Sequence, residues 1–211
     1  MQIAMVVYDR FTALDVVGPY EILSRLPEAR ITFVAERAGP VRADTGFLTL
    51  TADRALDELP DPDIVVVSGG PGTQEQLGNE ALRAWLRAAD AHATWITSVC
   101  SGSLLLAAAG LLKGRRATTH WAVLDMLRHF GAEPTEERVV VDGRYVTAAG
   151  VSAGIDMALA LAGRIAGDEH AQAVQLFTEY DPRPPYDTGS PHKAPAHLVE
   201  EIRTGRRFSL T

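Results

Sequence analysis

The chain has 211 residues, of which 46% belong to the AVILMFWYC set and 22% are charged, a globular composition with enough apolar surface to form a core without disulfides or metal. Twenty basic against 27 acidic residues leave a net charge of −7, and an acidic chain without a basic run argues against a nucleic-acid or anionic-membrane binder. A single cysteine excludes an intrachain disulfide and a cysteine-based zinc cluster.

In chain order the sequence alternates strand and helix signals. Ile3–Tyr8 is a continuous apolar run, as in a strand buried on both faces. It lacks a basic leader and meets Asp9-Arg10 at once, so it is not read as a signal peptide. A helical stripe follows from Asp15 to Leu26, with Pro19 expected in its first turn. Arg30–Ala35 is the next strand, and Arg42–Ala52 reads as an edge excursion. Asp63–Ser68 is a buried strand running into Gly69-Gly70-Pro71-Gly72. Glu80–Ala93 is a helix, Thr94–Val99 a strand, and Cys100-Ser101-Gly102 opens a helix ending near Leu112. That apolar stretch is too short to span a bilayer, and the default location is the cytoplasm, where a lone thiol stays reduced.

Trp121–Phe130 reads as a short helix. Arg138–Val141 and Tyr145–Ala148 flank a hairpin turn at Asp142-Gly143. Ser152 is placed to cap a helix through Ile165, and Asp168 another to about Tyr180. Residues 181–195 hold five of the twelve prolines and read as an extended surface arm. The expected organisation is one α/β domain over residues 1–200, arm included, with a frayed tail at 201–211. Alternating strands and helices predict a mostly parallel central sheet with helices on both faces.

The chemistry gathers at three strand ends, where ligands collect in open α/β sheets. Cys100 lies where a strand becomes a helix, and a helix N-terminus lowers a thiol pKa, so a thiolate is expected there. A buried structural cysteine fits the same spacing. The Gly69–Gly72 loop offers the Gly70 N–H, which together with the Ser101 N–H would form a two-donor anion hole. As a plain turn it would carry no chemistry. Asp15 reads either as a helix cap or as a carboxyl group whose pKa burial raises. Gly69, Thr119, His120 and Trp121 are candidate pocket residues, with an ordinary hydrogen-bonded histidine as the simpler reading of His120. No HxH or HExxH spacing supports a metal, and no GxGxxG or P-loop supports a nucleotide.

Together, Leu14-Asp15-Val16-Val17-Gly18-Pro19, Gly69-Gly70-Pro71-Gly72, Val99-Cys100-Ser101-Gly102-Ser103, Arg116-Ala117-Thr118-Thr119-His120-Trp121 and Tyr180-Asp181-Pro182-Arg183-Pro184-Pro185 resemble the ThiJ/PfpI superfamily. The resemblance runs from Met1 to about Pro195 and is closest to the isonitrile-hydrating branch. It implies a flavodoxin-like three-layer sandwich of the class-I glutamine amidotransferase type. It also implies hydration of an isonitrile to an N-substituted formamide, with Cys100 as nucleophile, Asp15 as acid/base and Gly70 and Ser101 as backbone support. A small-molecule substrate, no cofactor and a homodimer follow from the same resemblance. In that branch the residue after the cysteine is usually Thr, where this chain has Ser101. Peptidases and chaperones of the superfamily carry His at that place, and amidotransferases carry a His-x-Glu pair that this chain lacks. Two other readings stand beside it: a ligand-sensing domain like those of AraC-type regulators, which share the Arg116–Trp121 segment, and a cysteine-based redox protein.

Overall fold

The computed structural model describes residues 1–208. Its elements are β1 (Gln2–Val6), α1 (Ala13–Leu23), β2 (Arg30–Ala35), β3 (Gly39–Arg42), β4 (Thr49–Ala52), β5 (Arg54–Ala55), β6 (Ile64–Val67), α2 (Thr73–Gln76), α3 (Glu80–Asp90), β7 (Trp95–Val99), α4 (Gly102–Ala108), β8 (Arg116–Ala117), α5 (Met126–His129), β9 (Glu133–Pro134), β10 (Val139–Asp142), β11 (Tyr145–Ala148), α6 (Ala153–Ala166), α7 (Asp168–Phe177) and α8 (Ala196–Arg203).

Seven strands form the central sheet in the order β10-β11-β7-β6-β1-β2-β5. Every pairing is parallel except β10 with β11. Ile64, Val65, Val66 and Val67 are all buried, successive side chains pointing to opposite faces, so both faces of the sheet are covered. Helix α1 packs on α6 and α6 on α7, while α4 packs on α2, α3 and α5. This is the mostly parallel, helix-covered sheet expected from the alternation of strands and helices, and the flavodoxin-like α/β architecture that the family resemblance implies.

The topology fixes where a site can form. From β1 the chain moves outward to β2 and β5, then returns to lay β6 on the other side of β1. The reversal opens a crevice at the carboxyl ends of β1 and β6. Val6 is in register with Val67, and Val67 with Ser98, so the loops after β1, β6 and β7 leave the sheet side by side.

Several local expectations shift. Helix α1 begins at Ala13, so Pro19 lies in its second turn, and Asp15, rather than capping from outside, sits on the buried face of the first turn. The edge excursion is a separate antiparallel pair, β3 with β4. Asp142 pairs with Tyr145, which makes Gly143-Arg144 the two-residue turn, with Gly143 at φ 61°. Ser152 precedes α6 but makes no cap; its hydroxyl accepts from Arg138 Nη2 at 3.2 Å. Gly167, with φ 88°, holds the cap position of α7, and Asp168 is its first residue. Residues Trp121–Phe130 split into a 3₁₀ turn (Trp121–Val123) and α5. Helix α8 runs into the stretch expected as tail, because Leu198, Val199 and Ile202 line a cleft with Trp121. Residues 209–211 lie outside the described residues.

Candidate active site

Cys100 follows β7 with φ 57°, a left-handed conformation that is rare for a residue with a side chain. Four hydrogen bonds hold it there. Its N–H is shared between the carbonyls of Ala148 and Ala149 at 3.1 and 3.0 Å. Its carbonyl accepts from Thr119 Oγ1 at 2.8 Å and from Ser103 Oγ at 3.3 Å. A strained residue fixed on all sides by its surroundings is a mark of functional sites. The next turn depends on Gly102, where a Cβ would lie 2.3 Å from the carbonyl oxygen of Val67.

The Gly69 loop closes on this turn from β6. A Cβ on Gly69 would stand 2.5 Å from the Ser101 nitrogen and 2.9 Å from the Cys100 Cβ. Gly69 is therefore a point of close approach between two loops, not a pocket wall. Asp15 comes from α1, and its Oδ2 accepts the Gly69 N–H at 2.9 Å. Its Oδ1 is buried without a well-formed partner, and the carboxyl lies within reach of the Cys100 thiol.

Both acids are neutral in this setting. Burial pushes the Asp15 carboxyl up to about 8 against the opposing Gly69 and Cys100 hydrogen bonds. Burial, and next the Asp15 charge, raise the Cys100 thiol well above its usual value. Burial therefore opposes the helix-end effect expected to favour a thiolate: desolvation counts for more than the N–H groups of Val151 and Ser101 that reach the sulfur.

The anion hole is also revised. The Gly70 N–H is already donated to Ser101 Oγ at 3.0 Å. The N–H that joins Ser101 at the sulfur is that of Val151, a residue with φ 34° in the loop after β11. Sequence reasoning missed Val151 because it contributes only backbone.

Thr119 and Ala149, which bond the Cys100 backbone, line a cavity of about 420 Å³ with Trp121, Leu124, Val199 and Arg203, and Cys100 itself is not part of its wall. Ser190, Pro191 and His192 of the proline-rich arm form part of its wall. His120 lies apart from it. The His120 Nδ1 accepts the Ala122 N–H at 3.2 Å, its ring abuts Gly150, and burial lowers its pKa to about 4. It is the ordinary hydrogen-bonded histidine of the simpler reading, neutral and capping the 3₁₀ turn.

The family model described as the DJ-1/PfpI family matches residues 1–164. An isonitrile hydratase from Pseudomonas putida is 43% identical over 210 residues, covering 100% of this chain and 92% of that protein. The transcriptional regulator CdhR of Pseudomonas aeruginosa is 36% identical over 144 residues, which are 67% of this chain but 42% of the regulator. A crystal structure of a ThiJ/PfpI family protein from Pseudomonas syringae superposes with a TM-score of 0.93 at 41% identity, covering 98% of this chain and 86% of that one.

Proposed function

The chain belongs to the DJ-1/PfpI family, and from that premise we propose that it is an enzyme hydrating isonitriles to N-substituted formamides. The observation that carries the reading is the buried Cys100–Asp15 pair, in a chain that matches an isonitrile hydratase over its whole length.

The terminal carbon of an isonitrile accepts first a nucleophile and then a proton. Cys100 Sγ bonds to that carbon while protonated Asp15 delivers its proton there and takes up the thiol proton, giving an enzyme-bound thioimidate. A pair holding two protons suits this step, since one is transferred to carbon and the other restores the acid. Water then adds to the same carbon, and its proton passes through Asp15 to the nitrogen. The carbon–sulfur bond breaks as the remaining hydroxyl proton returns to sulfur, leaving the formamide. The Ser101 and Val151 N–H groups stabilise negative charge on sulfur, and one such donor is typically worth about 10²–10³ in rate.

The cavity behind Thr119 is the proposed seat of the isonitrile substituent. We also propose a cytoplasmic homodimer. Leu14, Val17 and Tyr20 leave an apolar stripe partly exposed on α1, and light scattering tests the assembly. A thiol that is buried and hard to ionise argues against a redox sensor. The test is incubation with cyclohexyl isocyanide, followed by loss of the isonitrile infrared band. Formation of the formamide supports hydration; no turnover of any isonitrile overturns it and favours the ligand-sensing reading.

A further inference from the structure

A chain of buried hydroxyls runs behind the nucleophile. Tyr8 Oη lies 2.8 Å from the Ser68 carbonyl oxygen and 2.9 Å from Thr73 Oγ1. Thr73 Oγ1 lies 2.8 Å from Ser101 Oγ, which accepts the Gly70 N–H at 3.0 Å. Tyr8, Thr73 and Ser101 are buried and stand after three different strands, β1, β6 and β7.

The direction of every hydrogen in this chain is determined. The Ser68 carbonyl only accepts, so the Tyr8 hydroxyl donates to it. Tyr8 Oη must then accept from Thr73, and Thr73 Oγ1 from Ser101. Ser101 in turn accepts from the Gly70 N–H, which only donates. The Gly70 carbonyl, at 3.4 Å, is a poor alternative for the Ser101 proton, and using it would leave two oxygens 2.8 Å apart without a hydrogen between them. The relay begins and ends on the loop after β6. The Ser101 hydroxyl also lies within hydrogen-bonding reach of the Cys100 sulfur, yet the relay commits its proton to Thr73.

We propose that Thr73 and Tyr8 are positioning residues that act through Ser101, turning its hydroxyl proton away from the Cys100 sulfur and leaving that sulfur to backbone donors alone. The consequence for turnover rests on the isonitrile reading: with no hydroxyl favouring the thiolate, the thiol keeps the proton that must replace the one Asp15 gives to carbon. The geometric claim does not rest on it. The titratable side chain bearing on Cys100 is Asp15, and Cys100 and Asp15 in turn bear on Tyr8.

The closing experiment therefore has an arm independent of activity. Cys100 is the only cysteine, so thiolate absorbance, measured against Cys100→Ser, reports one group. Thr73→Val removes the acceptor, and the Ser101 proton turns to sulfur. One added donor to a charged acceptor lowers the thiol titration by about one pH unit. Tyr8→Phe, which lets Thr73 donate to Ser101 instead, gives a shift of the same sign and decides the matter should Thr73→Val not fold. Thr73→Ser restores wild-type titration, and in a Ser101→Ala background Thr73→Val produces no shift. In turnover, Thr73→Val lowers kcat about tenfold with KM unchanged. Titration that is unmoved in Thr73→Val and Tyr8→Phe overturns the proposal, as does a shift that persists without the Ser101 hydroxyl. A wild-type protein without isonitrile turnover overturns the function instead, while the titrations still judge the relay.

Discussion

Asp15 is the residue whose perturbation has the most readable consequence. Its carboxyl is moved from 3.8 to about 8 by burial, so between those values the folded chain holds a proton that the unfolded chain has released. Stability from this group is therefore greatest below about pH 4 and falls as pH rises towards 8. At pH 7 the displacement costs roughly 4 kcal/mol at 1.36 kcal/mol per pH unit, a large share of the ~5–15 kcal/mol that holds a domain folded. Asn cannot ionise in either state, and its side-chain carbonyl can still accept the Gly69 N–H. Asp15→Asn is thus expected to leave stability near pH 4 almost unchanged and to raise it by up to roughly 4 kcal/mol at pH 7. Urea unfolding followed by tryptophan fluorescence, at several pH values for both proteins, reads the difference curve. Parallel curves for the two proteins would refute the buried neutral carboxyl. The same variant, though more stable, is expected to lose nearly all turnover, because it cannot pass a proton. For the wild type, kcat/KM should decline above about pH 8 as Asp15 ionises.

Gly69→Ala should cost about 2 kcal/mol or more of stability and most of the activity, since the new Cβ meets the Ser101 nitrogen; an unfolding curve like that of the wild type would show that the two loops are not in tight contact. Truncation after Glu179 should leave a folded protein, because no described residue beyond Val174 is fully buried hydrophobic core. The same truncation removes Ser190–His192, Val199 and Arg203 from the cavity wall and should raise KM for bulky isonitriles far more than for small ones. An untouched KM for both classes would remove the arm from substrate binding.

The central strands were legible because burial on both faces forces continuous apolar runs, as in Ile64–Val67. The three strand ends that build the site were legible for the same reason, together with the glycines that let loops approach one another. Three things were not. The pKa of Cys100 depends on how deeply the helix end is buried, and a local pattern shows the end but not the depth. Val151 acts through an N–H aimed by backbone geometry, which leaves no side-chain signature. Tyr8 and Thr73 meet Ser101 only after the segments following β1, β6 and β7 converge, so their spacing in the chain carries no trace of the contact.

The most direct test of the Cys100–Asp15 account compares wild type with Cys100→Ser on cyclohexyl isocyanide, with the formamide measured by mass spectrometry. The account predicts formamide from the wild type and none above background from Cys100→Ser; product formed equally by both proteins would contradict it.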